Sequence, residues 1–233
     1  MLTTICFDAD DTLWHNERFF RLTEERFIAL LADYAQPDDL AERLLDAERR
    51  NLERYGYGIK GFTLSMIETA LQVTENRVPG AVIAELISAG QEMLQHPIEL
   101  LPGADDTIRR LASDYQLLLI TKGDLIDQER KLAQSGLGEL FDGVEIVSEK
   151  TTEVYAGIFT GRGIPAEAAL MVGNSLKSDI HPVLAAGGWA AHVPFGETWA
   201  LEQASVPTGH PRFYELPDLT GVPALASQIS RNI

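Results

Sequence analysis

Cysteine is nearly missing from this chain: Cys6 stands alone in 233 residues. A single thiol excludes an intramolecular disulfide and a cysteine zinc cluster, and it suits a reducing compartment. Its expected role is that of a small core hydrophobe. Bases are scarce too, with 19 Lys+Arg against 35 Asp+Glu and a formal net charge of −16. Such a field repels phosphate backbones and anionic membranes, so neither nucleic acid nor a membrane surface is an expected partner. An anionic small substrate remains admissible where a site supplies a metal or local cations. No apolar run approaches the ~20 residues that cross a bilayer. The short N-terminal run stops at Asp8, so no signal peptide is expected and the expected location is the cytoplasm. The five histidines, His15, His96, His181, His192 and His210, show no zinc spacing.

What is present divides by periodicity. Ile5-Cys6-Phe7 forms a short apolar strand. From Glu17 the pattern turns helical, with Phe19, Phe20, Phe27, Leu30, Leu31 and Tyr34 near helical spacing as far as Ala35. Further helices are expected from Asp38 or Asp39 through Leu52, from about Thr63 to Val73, and from Pro79 to about Gln95. From Leu100 strands and helices alternate. Strands are expected at Leu117–Ile120, Gly143–Val147, Ala168–Val172 and Trp189–Val193, with a possible short one at Arg212–Tyr214. This alternation predicts an α/β fold, a doubly wound parallel sheet of Rossmann-like type. Residues 1–14 and 98–233 would form the catalytic core, and residues 15–97 an inserted all-helical cap.

Four strand ends carry polar clusters: Asp8-Ala9-Asp10-Asp11-Thr12, Thr121-Lys122-Gly123-Asp124, Ser148-Glu149-Lys150, and Gly173-Asn174-Ser175-Leu176-Lys177-Ser178-Asp179. In a parallel sheet all four ends lie along one edge, where ligands bind. The inventory suits phosphoryl transfer. Asp8, first past its strand, is placed to be a covalent nucleophile. Asp10 can protonate a leaving oxygen and later deprotonate water. The Thr121 hydroxyl and the Lys150 ammonium can hold phosphoryl oxygens, with Lys122 and Gly123 beside Thr121 in the same phosphate-binding cluster. Hard oxygen ligands from Asp8, Asn174 and Asp179 suit Mg²⁺.

These clusters, in this order, resemble the motifs of the haloacid dehalogenase superfamily of aspartyl-nucleophile hydrolases. The resemblance covers nearly the whole chain, because the helical insert is similar to that family's smaller cap. It implies an aspartyl-phosphate on Asp8, acid–base work by Asp10, and a Mg²⁺ that also takes the Asp10 backbone carbonyl. It matches Thr121 to the second motif, Lys150 to the third, and Asn174 with Asp179 to the fourth. The chain departs from the pattern at Asn174, where an aspartate is usual, and weaker metal affinity is expected there. Lys122 and Thr151 are further departures, standing where Asn and Pro are frequent. A carbon–halogen hydrolase resembling this family would usually lack the carboxylate at Asp10, since halide leaves without an acid.

The reading is therefore a Mg²⁺-dependent phosphatase for a small phosphorylated metabolite. A phosphomutase of the same superfamily and a non-catalytic phosphoryl-binding regulatory protein stand as alternatives. Trp14, His15, Tyr57 and Lys60 are the candidate specificity residues. The last two lie in Gly56-Tyr57-Gly58-Ile59-Lys60-Gly61, which spells a dinucleotide-binding fingerprint but follows a charged helix rather than a strand.

Overall fold

A computed structural model describes residues 1–196 and 199–232. They form two compact units. The sheet unit holds Met1–Glu17, Ile98–Lys122 and residues from Gln128 onward; the helical unit holds Arg18–Pro97 together with Gly123–Asp127.

In the sheet unit, β1 (Thr4–Phe7) lies at the centre of a six-stranded sheet. Around it are β2 (Gln116–Lys122), β3 (Gly143–Val147), β4 (Ala169–Gly173), β5 (Trp189–His192) and β6 (Phe213–Glu215), in the order β3-β2-β1-β4-β5-β6. Every pairing is parallel. Phe7 is in register with Leu119 on one side and Val172 on the other, so Asp8 emerges between the ends of β2 and β4. Side chains alternate between two cores, as a strand's twofold period requires. Ile5, Phe7, Leu117 and Leu119 face one, while Cys6, Leu118 and Ile120 face the other. Burial pushes the Cys6 thiol up to about 12, which leaves it inert as a small hydrophobe.

The helical unit contains α1 (Glu17–Leu30, its first residue grouped with the sheet unit), α2 (Pro37–Tyr55), α3 (Ile59–Val73) and α4 (Gly80–Gln95). Proline at its start, Asp38 and Asp39 in the first turn and Arg54 in the last favour α2. It buries Leu40, Leu44, Ala47 and Asn51 along one face. The Asn51 amide donates to Ser65 Oγ (3.1 Å) and Glu68 Oε2 (2.9 Å), which ties α2 to α3. Phe27, Leu31, Met66 and Leu86 complete this unit's own core.

Several boundaries differ from the sequence expectation, two in the helical unit by four residues or more. The first helix ends at Leu30 rather than Ala35, where turns take over. The third begins at Ile59, not Thr63, because Gly58 at φ +108° starts it and accepts from the Phe62 N–H at 3.1 Å. Gly61 lies in the first turn of this helix, where a Cβ would come 2.9 Å from the Gly56 carbonyl.

Around the sheet lie α5 (Ala104–Leu111), α6 (Leu125–Ser135), α7 (Thr152–Gly161), α8 (His181–Ala185) and α9 (Val222–Asn232). Residues 176–185 are helical in two pieces. One turn of π-helix, Leu176–Ile180, precedes α8. Pro182 has no N–H for the Ser178 carbonyl, and the Tyr155 hydroxyl donates to that carbonyl instead, at 3.2 Å. The widened turn carries Asp179, fully buried, toward the sheet tip.

Candidate active site

Asp8 leaves β1 with its N–H still bonded to the Val172 carbonyl at 2.9 Å. The next residues fold into a tight turn in which the N–H groups of Thr12 and Leu13 donate to the Ala9 carbonyl. Asp11 sits at φ +60° inside that turn and accepts from the backbone N–H of Asn16 (2.8 Å) and Glu17 (2.9 Å). Its buried carboxyl caps the start of α1, and burial pushes it up to about 8 against those hydrogen bonds. The turn returns Thr12 to its own strand's nucleophile candidate: Thr12 Oγ1 lies 3.1 Å from Asp8 Oδ2 and 3.3 Å from Asn174 Oδ1. One hydroxyl proton serves only one of those oxygens at a time.

The other Asp8 oxygen accepts from Lys150 Nζ in a very short contact. Lys150 also donates to Asp179 Oδ1 at 2.7 Å, and Asp179 Oδ2 accepts from the Ser175 N–H at 2.9 Å. All three charged side chains are buried. Burial drives Asp8 up to about 7, Lys150 opposes the rise and the Asp179 charge adds to it. Burial alone would lower Lys150, but the Asp179 and Asp8 charges override it and hold the ammonium above its ordinary value. One ammonium thus serves two carboxylates. Close packing requires Gly173 here, since a Cβ on it would come within 2.3 Å of Asp179 Oδ2.

Asp10 occupies a different setting. Its Oδ1 accepts from Trp14 Nε1 at 2.7 Å and from Lys131 Nζ at 3.0 Å. Its Oδ2 accepts from Gln128 Nε2 at 2.7 Å and from the same ammonium at 3.1 Å. Trp14, a candidate for contact with substrate, is fully buried in the sheet core and serves Asp10 instead. His15 packs edge-on against Phe195, ring centroids 5.8 Å apart. Thr121 is buried and donates to Gln128 Oε1 at 3.3 Å. Lys122 Nζ donates to Glu202 Oε1 (2.6 Å) and Ser178 Oγ (3.0 Å). Glu202 also accepts from Ser175 Oγ at 2.6 Å and from Ser178 Oγ. Gly123 follows at φ +151°. In the helical unit Tyr57 is half-buried, and Lys60 Nζ donates to both Asp124 oxygens at 3.0 and 2.9 Å. Asp124 in turn accepts from the Asp127 N–H at 3.1 Å and caps α6.

The tips of β1, β2 and β4, with the loop beyond β3, bring together Asp8, Asp10, Thr121, Lys150, Asn174 and Asp179. Gln128, Lys131 and Glu202 were not singled out from the sequence. The available signal for the first two was their spacing of three on α6, which puts both on one helix face. Glu202 left none, because it sits in a short turn, Ala200–Glu202, far along the chain.

The donor set fits a hard divalent cation. Asp8 Oδ2 and Asn174 Oδ1 are acceptor oxygens that face a single shared hydroxyl, so one of them retains unused acceptor capacity. Across the cluster, the carboxylates of Asp8, Asp10 and Asp179 outnumber the ammoniums of Lys131 and Lys150. An oxygen-rich cluster of this type suits Mg²⁺.

Comparison with known proteins agrees with the geometry. A family model for haloacid dehalogenase-like hydrolases matches residues 2–187. A haloacid dehalogenase-like hydrolase of Xanthomonas campestris is 43% identical with a TM-score of 0.88, covering 100% of this chain and 95% of that one. The glyceraldehyde 3-phosphate phosphatase of Methanothermobacter thermautotrophicus is 28% identical over 191 residues, 77% of this chain and 80% of that protein. The L-2-haloacid dehalogenase of Xanthobacter autotrophicus shares the fold at 17% identity, TM-score 0.67, covering 97% of this chain and 99% of its own. With its motifs at the tips of one parallel sheet and the family model spanning most of its length, this chain belongs to the haloacid dehalogenase-like hydrolases.

Proposed function

We propose that this hydrolase is a Mg²⁺-dependent phosphatase of a small phosphorylated metabolite, working through an aspartyl-phosphate on Asp8. The observation that carries the reading is Asp10, a second carboxylate two residues after the nucleophile and at the same strand tip. Halide departs without a proton, whereas an alkoxide needs one, so this carboxylate has a task in ester cleavage and none in dehalogenation. The phosphatase similarity to the Methanothermobacter protein supports the same choice. Fold likeness to the dehalogenases, at 17% identity, carries no activity with it.

In this reading an Asp8 carboxylate oxygen attacks phosphorus, the bond to the ester oxygen breaks, and Asp10 gives that oxygen a proton. Asp10 then takes a proton from water, the hydroxide attacks the phosphoryl group, and Asp8 is released with inorganic phosphate. Lys150 and Thr121 hold the oxygens that do not react. Asp8, Asn174 and the Asp10 carbonyl would hold Mg²⁺. Asp179 would be a further ligand, and its Oδ1 also anchors Lys150. When bound, the ion offsets negative charge on the phosphoryl oxygens.

The test is phosphate release from p-nitrophenyl phosphate, with Mg²⁺ and with chelator, by the wild type and Asp8→Asn. Turnover that needs Mg²⁺ and vanishes in the variant is expected. Chloride release from 2-chloropropionate without any phosphatase activity would replace this reading with dehalogenation. Phosphate binding by the folded protein with no turnover on either substrate would favour a phosphoryl-binding protein.

A further inference from the structure

We propose that Lys131 and Gln128, both on α6, are positioning residues for Asp10 in the proton transfer to the leaving group. The inference rests on the phosphatase reading above and adds the groups that decide where the acid–base carboxylate stands.

An acid–base side chain must reach the ester oxygen in a narrow range of directions, so its rotamer needs outside support. Asp10 cannot obtain that from its own turn, where only Trp14 reaches it. The remaining support comes from α6. Lys131 spans both carboxylate oxygens, and Gln128 Nε2 donates to Oδ2. Both supporting side chains are themselves nearly sealed from solvent, at 6% exposure for Lys131 and 3% for Gln128. Each is also anchored a second time. Lys131 Nζ donates to Asn16 Oδ1 at 2.8 Å, and Gln128 Oε1 accepts from Thr121 Oγ1. The two residues stand three apart on one helical face, so α6 presents them to Asp10 as a rigid pair.

The Thr121 link gives the arrangement a direction. Thr121 holds a phosphoryl oxygen in the proposed mechanism, and its hydroxyl has one proton to donate. Turning that proton to the substrate releases Gln128 Oε1, and Gln128 is the group that holds Asp10 Oδ2. Gln128 thus links the phosphoryl site to the acid–base carboxylate, while Lys131 and Trp14 also hold Asp10 at the strand tip. Buried ammonium and amide groups of this kind would be poor choices for packing alone, because each needs a partner to offset its desolvation. Here the partner is the acid–base residue.

The experiment uses single turnovers of substituted phenyl phosphates, from p-nitrophenyl to p-methoxyphenyl, with Mg²⁺ and enzyme in excess. A good leaving group departs with little help from an acid, whereas a poor one depends on it. Lys131→Met and Gln128→Glu should each slow p-methoxyphenyl phosphate by about tenfold or more, and p-nitrophenyl phosphate by less than about threefold. Lys131→Arg should recover part of the loss. An equal fall on all esters in folded variants would show a merely structural role and overturn the proposal, as would unchanged rates throughout. Gln128→Glu keeps volume nearly constant and stands in should Lys131→Met not fold. A wild type that cleaves none of the esters would remove the phosphatase reading itself, a result distinct from a flat variant profile.

Discussion

Lys150 donates to Asp179 Oδ1 at 2.7 Å, with both side chains almost completely sealed from solvent. The pair joins the loop after β3 to the π turn after β4. Its ammonium is also the partner of Asp8, so one cation carries the charge balance for two strand tips. Removing it leaves two buried carboxylates facing each other. We expect Lys150→Met to lower unfolding stability by about 3–5 kcal/mol, measured by urea denaturation, and to abolish turnover. Lys150→Met combined with Asp179→Asn should lose less stability than the sum of the two single changes. Additive losses would show that the pair does not act as a unit.

Gly173 makes a related prediction from shape alone. A methyl group at this position would overlap the Asp179 carboxylate, whose Cγ would lie 2.4 Å from it. Gly173→Ala should cost about 1–3 kcal/mol through forced displacement. It should also reduce turnover, because the displaced group anchors Lys150. Unchanged thermal stability and activity would refute the claim.

Glu202 supplies a pH dependence. Burial alone would raise its carboxyl, but Lys122, Ser175 and Ser178 together hold it below the ordinary 4.5. A depressed carboxylate contributes stability that is present above its unfolded value. That contribution is lost as pH falls through the folded value. Stability should therefore drop below about pH 4.5 in the wild type, and Glu202→Gln should flatten that part of the acid limb. At neutral pH the same change should cost about 1.5–3 kcal/mol. Parallel acid-unfolding curves for the two proteins would contradict this assignment.

Asn174 bears on the proposed Mg²⁺ site. An amide oxygen binds Mg²⁺ without contributing charge, and ligand charge tunes the affinity of such sites. Asn174→Asp should tighten Mg²⁺ binding by roughly tenfold, about 1.4 kcal/mol, read by calorimetric titration independently of turnover. Equal or weaker binding in the variant would remove Asn174 from the ligand set.

The apolar runs and their turns made the parallel sheet legible, since a strand buried on both faces has a near-continuous hydrophobic sequence. Leu117–Ile120 is such a run, and it is almost wholly buried. Element ends were less legible. The break at Pro182 was not read from the sequence, and the Tyr155 hydroxyl on the Ser178 carbonyl shows how the chain accommodates that proline. Trp14 read as a side chain beside the site, and packing turned it into the core with its indole N–H on Asp10.

The sequence by itself determined which groups reach the strand tips: Asp8 directly after β1, Thr121 at the end of β2, Asn174 directly after β4. Strand polarity and length decide that much, and both are local properties. Only the tertiary structure decided what each group does there. Lys150 chose two carboxylates, Lys122 turned to Glu202, and Lys131 and Gln128 closed on Asp10. Those partners lie 29 to 142 residues apart in the chain. No periodicity records which long-range neighbour offsets a buried charge. That is settled by desolvation and geometry once the sheet has placed the strands.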